Sequence, residues 1–194
     1  MPFIRTVPLD AAEGLTRQLY DRDLEKQGYV SNFTKALSLR PEAMAAWVNL
    51  ATTIRSKMDL RRYELVTLAA AREQKSSYCM LAHGKVLVDK SLAPEQVAAI
   101  AAGRGDAGLG PAEVALMTFA EKVTREAHAV TAQDVDELRR HGYSDEDIVD
   151  IALATAARNF FSRLLDALGA TPDAAYRELP ESLRAALTVG RPID

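Results

Sequence analysis

Cysteine is almost absent from this 194-residue chain, which carries only Cys79. A lone cysteine excludes an intramolecular disulfide and the common all-cysteine zinc sites, so a secreted disulfide scaffold is a poor fit. No stretch approaches the ~18 unbroken apolar residues that a membrane-spanning helix needs. The opening Met1–Pro8 is too short and too interrupted by proline for a signal peptide. Neither sign of charge dominates: 24 Lys+Arg stand against 27 Asp+Glu, a net charge of −3. That leaves no electrostatic footprint for nucleic acid or an anionic membrane. Low-complexity tracts and strand-like alternation are missing too. The remaining composition, 48% hydrophobic and 26% charged, is that of a soluble globular protein. One domain over residues 1–194 and a cytoplasmic location are expected.

Helix punctuation recurs instead. Asp10 with Glu13 reads as a capping box opening a helix from Ala11 to about Gln27, which Gly28 closes. A short polar-aromatic stretch, Ser31-Asn-Phe-Thr, follows. Pro41 opens a helix carrying Met44, Trp47, Val48 and Ala51 on one face. Asp59 is a suitable N-cap for the helix of Tyr63, Glu64, Leu65 and Leu68. Cys79–Val88 reads as helical, and Pro94 with Gly103 brackets another helix. The glycine-rich stretch Gly103–Gly110 reads as a connection, since it has no phosphate-loop lysine. Pro111 opens a helix running to about His128, and Thr131 with Asp134 opens a short one. Ser144 with Asp147 caps a long run of Ile148, Ile151, Ala152, Phe160, Leu164 and Leu168, closed by Gly169. Short turns follow Pro172 and Pro180. The fold class is all-α, a single multi-helix array.

Chemistry concentrates between Glu64 and His83. Cys79 and His83 are four apart, so on a helix they share a face one turn apart. If Ser76 is the N-cap, Cys79 falls at the third helical position, where free N–H groups and the helix dipole favour a thiolate. Glu64, on the preceding helix, could orient the imidazole or take its proton, giving a carboxylate–imidazole–thiol relay. The plain alternative is structural: a buried free cysteine behaves as a small hydrophobe. His83 is then an ordinary helix-face histidine, Ser76 a cap, and Glu64 a solvated charge or a partner for Arg61 or Arg72. Cys79 and His83 could also supply two metal ligands, but His128 and His141 lie too far along the chain to complete a convincing set. Arg163 and Asp166, three apart, read as an intrahelical pair.

Glu64, the Ser76-Ser-Tyr-Cys79 turn and His83 together resemble the active-site signature of the alkylhydroperoxidase D-like family, within the carboxymuconolactone decarboxylase superfamily. The stretch Ala157-Arg-Asn-Phe-Phe-Ser-Arg-Leu-Leu-Asp-Ala-Leu-Gly169 is similar to a superfamily helix. The proline-bearing N-terminus and the Pro41 helix resemble the longer, peroxidase-related members. The family pattern is a glutamate, then a Cys-x-x-Cys at the next helix start, then a histidine four residues later. Glu64, Cys79 and His83 take the positions of the glutamate, second cysteine and histidine. Ser76 stands at the first cysteine, so an internal disulfide cannot form.

The resemblance implies an all-helical alkylhydroperoxidase D-like fold with its core motif at about 59–90. It implies a homo-oligomer, trimer or hexamer, and no metal or organic cofactor. It further implies a thiol-dependent reduction of an alkyl hydroperoxide, with Cys79 as nucleophile, His83 polarising the thiol and Glu64 relaying the proton. Tyr78 would hydrogen-bond the departing oxygen, Ser76 would act as a cap and polar contact, and an external thiol would reduce the oxidised cysteine. Two further readings follow from the same residues. One is a lactone decarboxylase-like enzyme acting on a small organic acid through His83 and Glu64; the other is a redox sensor without turnover.

Overall fold

The computed structural model describes residues 2–104 and 107–193. Residues 105 and 106, in the glycine-rich connection, lie outside the described residues. The described residues form ten α-helices and three short 3-10 turns, with no strand among them. The helices are α1 (Gly14–Gln27), α2 (Asn32–Ala36), α3 (Pro41–Arg55), α4 (Leu60–Glu73) and α5 (Ser77–Lys90). They continue as α6 (Pro94–Ala101), α7 (Pro111–Glu126), α8 (Ala132–Arg140), α9 (Asp145–Ala167) and α10 (Glu181–Leu187).

Helix α4 is the hub. Residues 63–71 are buried without interruption, because α5, α7 and α9 pack around it. A helix buried on every side must be apolar or carry satisfied polar groups, and Leu65-Val-Thr-Leu-Ala-Ala-Ala71 meets that demand. Thr67 returns its hydroxyl hydrogen to the Tyr63 carbonyl at 3.0 Å. Asp59 caps α4 by accepting from the Arg62 N–H at 3.1 Å. At its other end, Lys75 takes the left-handed conformation at φ 55°, and the Ser76 N–H reaches back to the Ala71 carbonyl at 3.0 Å. This tight closure turns the chain straight into α5 and sets Glu64 and His83 on facing helices.

Several local expectations are corrected. Asp10 does not open α1: it sits in the 3-10 turn Leu9–Ala11, and α1 begins at Gly14 with no side-chain cap. Ser31-Asn-Phe-Thr contributes to the short helix α2, which Asp23 supports by accepting from the Ser31 N–H at 3.1 Å and the Thr34 hydroxyl at 2.6 Å. In α9 the buried face is Ile148, Ile151, Ala154, Thr155, Arg158, Phe161, Ser162 and Leu165. Phe160 is 58% exposed, whereas Phe161 stacks on Trp47 with centroids 4.2 Å apart. Arg163 and Asp166 do not pair: Arg163 donates to Gln74 at 3.2 Å, and Asp166 faces Arg191.

The C-terminal segment folds back over the α4–α5 turn. The Gly190 N–H donates to the Ser77 hydroxyl at 2.7 Å, and Arg191 donates to the Asp166 carbonyl at 3.0 Å. No helix among the described residues is long and apolar enough to cross a membrane.

Candidate active site

Ser76 occupies the N-cap position of α5, which puts Cys79 at the third helical residue, in the first turn. The Ser76 hydroxyl, however, makes no capping bond. With its backbone at φ −89°, ψ 95°, Ser76 buries that hydroxyl beside the Asp166 carboxylate, outside strict hydrogen-bond geometry. The expected cap is therefore not formed.

Glu64 is buried on α4 and does not pair with Arg61 or Arg72. Arg61 forks onto Glu113, and Arg72 engages Glu121 and the Ile100 carbonyl. Glu64 meets His83 instead, with Oε2 2.5 Å from Nδ1. With the carboxylate accepting, Nδ1 carries the hydrogen and Nε2 keeps its lone pair. His83 retains 15% of its side-chain exposure, so the imidazole stands at the site's edge toward solvent. Tyr63 packs edge-on against it at 6.2 Å. Burial first, and then the positive charge of Arg158, push the His83 pKa below its ordinary value against the pull of Glu64. The neutral imidazole, a proton acceptor, is thereby favoured at neutral pH.

Cys79 is 2% exposed. Its hydrogen-bond partners come from α9 rather than from His83: the Ser162 hydroxyl lies 3.1 Å from Sγ and Arg158 Nη1 3.4 Å. Neither residue was singled out in the sequence. The available signal was an arginine on an otherwise buried helical face, one turn from a small hydroxyl residue. Arg158 is 5% exposed and lies between Tyr63 and the stacked Trp47 and Phe161 rings, whose centroids are 5.9 and 6.0 Å away. Burial works to strip its proton, but Cys79 and Tyr63 beside it hold the guanidinium charged, above its ordinary pKa.

Tyr78 turns the other way. Its hydroxyl donates to Asp173 at 2.5 Å and accepts from the Phe33 N–H at 3.2 Å. A phenol has one hydrogen to give, so this group is committed to Asp173 and not available to a departing oxygen. Burial and the Asp173 charge drive its pKa well above the usual range. Tyr78 is a structural tie between α5, α2 and the 3-10 segment Ala174–Glu178.

His128 lies in the 3-10 turn Ala127–Ala129, and His141, just past the end of α8, contacts Glu137 at 3.1 Å. Among the described residues, no three His, Cys, Asp or Glu side chains converge as a metal-ligand set. The cluster thus offers a buried sulfur facing a cation and a hydroxyl, beside a carboxylate–imidazole pair with a free lone pair at the rim.

Residues 41–122, which include Glu64, Cys79 and His83, match the model of the Carboxymuconolactone decarboxylase family. An uncharacterized peroxidase-related protein with an alkylhydroperoxidase core, from Ralstonia eutropha JMP134, superposes with a TM-score of 0.83 at 27% identity, over 90% of this chain and 94% of that one. Over residues 41–122 the chain is similar to the Carboxymuconolactone decarboxylase family, and over nine-tenths of its length to a protein with an alkylhydroperoxidase core. A second peroxidase-related protein of that kind, from Silicibacter sp. TM1040, matches at 26% identity and TM-score 0.68, over 91% of this chain and 96% of that one. The debrominase Bmp8, in complex with 2,3,4-tribromopyrrole, shares the all-helical fold at TM-score 0.72 and 17% identity, over 95% of each chain. No curated protein matches the sequence significantly.

Proposed function

We propose that this protein is a one-cysteine hydroperoxide reductase of the alkylhydroperoxidase D-like type. The observation that carries the reading is the 2.5 Å contact between Glu64 and His83 Nδ1, one helical turn from Cys79 on the same helix. It leaves Nε2 as a base on the face that the thiol shares. The Cys79 sulfur attacks the terminal oxygen of ROOH, forming S–O and breaking O–O. Cys79 becomes the sulfenic acid, and the departing RO⁻ takes up a proton through His83, matching the one that the thiol gave up. Glu64 stabilises the imidazolium that forms in between. The chain has no second cysteine, so two equivalents of an external thiol complete the cycle, the first condensing with the sulfenic acid and the second releasing Cys79. Similarity to two peroxidase-related proteins over nine-tenths of the chain supports this reading.

One observation favours a second reading. The Glu64–His83 pair is complete without Cys79, whose partners lie on α9. An acid–base enzyme acting on a small organic acid would need only that pair. Cys79→Ser separates the two: it abolishes hydroperoxide consumption under the first reading, and it leaves turnover of an organic acid intact under the second.

A further inference from the structure

The Arg158 guanidinium lies within a buried part of the molecule, yet among the described residues no carboxylate pairs with it. Glu64, the buried acid of the site, spends its contact on His83. The surroundings of Arg158 are the Cys79 sulfur at 3.4 Å, the Tyr63 hydroxyl and two aromatic faces, and its Nε–H has no partner at all. A buried cation without an anion is costly. Of the groups touching it, the sulfur is the one able to supply a negative charge near neutral pH. Arg158 has only hydrogens to give, and the Ser162 hydroxyl at 3.1 Å has one to give as well, so the sulfur is placed as an acceptor of two hydrogen bonds. The lowered pKa of His83 keeps the imidazole neutral, so it cannot serve as the counter-cation of a cysteine–histidine ion pair.

We propose that Arg158 is the charge partner of Cys79, holding the sulfur as a thiolate, and that its unpartnered N–H seats the oxygen anion formed at this sulfur. Roles in the site then divide. Arg158 and Ser162 hold the nucleophile, while Glu64 and His83 handle the proton of the departing oxygen. When ROOH reacts, sulfur gives up two electrons to the O–O bond, Cys79–S⁻ becomes Cys79–SOH, and RO⁻ takes a proton from solvent through His83, replacing the one that Cys79 released to solvent on ionising. As the sulfenic acid ionises, its oxygen finds a donor already in place. The assignment rests on the proposed thiol chemistry at this site, but it is measurable without any peroxide.

With one cysteine in the chain, the ultraviolet absorbance of the thiolate and the rate of iodoacetamide alkylation report on Cys79 alone. Wild type at neutral pH is expected to show a thiolate signal that Cys79→Ser removes. Arg158→Gln is expected to lose this signal and to slow alkylation by about tenfold or more. Arg158→Lys keeps the charge and most of the signal, but its sulfenic acid, sampled by dimedone added at successive times, decays faster because the spare N–H is gone. His83→Ala keeps the thiolate signal and loses oxidation by hydroperoxide. Circular dichroism reports whether each variant folds; should Arg158→Gln fail to fold, the wild-type signal and Arg158→Lys still decide the matter. The proposal is overturned if wild type shows no thiolate at neutral pH, if folded Arg158→Gln alkylates at the wild-type rate, or if His83→Ala abolishes the signal. A thiolate that hydroperoxide leaves untouched would uphold the Arg158 assignment and overturn the peroxidase reading.

Discussion

Glu64→Gln keeps an acceptor for the imidazole but removes the charge that stabilises its protonated form. Hydroperoxide consumption should fall by about two orders of magnitude, the usual scale for a lost acid–base group, and His83→Ala should match it. The double variant should be little worse than either single one, because the two residues act as a unit. The pH dependence follows from His83, whose folded-state pKa is lowered by burial and by Arg158. Unfolded histidine titrates near pH 6.5, so below that value the unfolded chain binds the proton more readily. The stability contributed by the neutral imidazole is therefore full above about pH 6.5 and is lost as pH falls through the folded value. The same protonation removes the base, so consumption of hydroperoxide should hold near neutrality and decline on the acid side, a limb absent in His83→Ala. Rate–pH profiles and acid denaturation curves check both. At this scale, the meeting of Glu64 with His83 was legible because the resemblance to a known active-site signature tied together residues whose spacing alone is a weak signal. Arg158 and Ser162 were not, because they reach the sulfur across 79 and 83 residues of chain. Tyr78 and Ser76 were located but misassigned in role: adjacency in sequence places a side chain on a helix, and the partners on other helices decide which way it bonds.

Among the elements, the turn between α4 and α5 carries the site, and the C-terminal segment clamps it. A Cβ on Gly190 would stand 2.1 Å from the Lys75 carbonyl oxygen, a backbone atom that cannot swing aside. Gly190→Ala should cost about 1–3 kcal/mol, typical of overpacking, and lower the melting temperature. It should also speed labelling of Cys79, because the segment that covers the first turn of α5 has to lift. A wild-type melting temperature and labelling rate would show that the clamp does not hold the turn. Most helix ends were legible because Pro41, Asp59, Pro94, Pro111, Thr131, Ser144 and Gly169 each supply a local start or stop signal. The phase of α9 was not. Its buried stripe runs through Thr155, Arg158 and Ser162, so the polar residues that serve the sulfur broke the apolar period and drew Phe160 into the wrong face. Helix α2 has five residues, too few to show any period, and it forms because Asp23 and tertiary packing hold it.

For the whole molecule, the all-helical class followed from the density of caps and the lack of alternation, and the family signature tied it to one architecture. Assembly did not follow from the amino-acid pattern. Val149, Leu153 and Phe160 line the outer face of α9, and Leu50 is likewise exposed on the neighbouring α3. Covering the exposed half of each such side chain is worth about 1 kcal/mol. The homo-oligomer that the family resemblance implies would bury these side chains if it forms through this face. Light scattering should then give a mass above the 21.2 kDa protomer, and Leu153→Asp with Phe160→Asp should reduce it toward one chain. A monomeric wild type would contradict that assembly.

The measurement that bears most directly on the account is oxidation of Cys79 itself. Wild type, Glu64→Gln and His83→Ala would be exposed to an alkyl hydroperoxide at neutral pH, with the sulfenic acid trapped by dimedone and located by mass spectrometry. The account predicts rapid, stoichiometric trapping at Cys79 in wild type, strongly slowed in both variants. A thiol that hydroperoxide leaves unmodified, or one oxidised equally fast without Glu64 and His83, would contradict it.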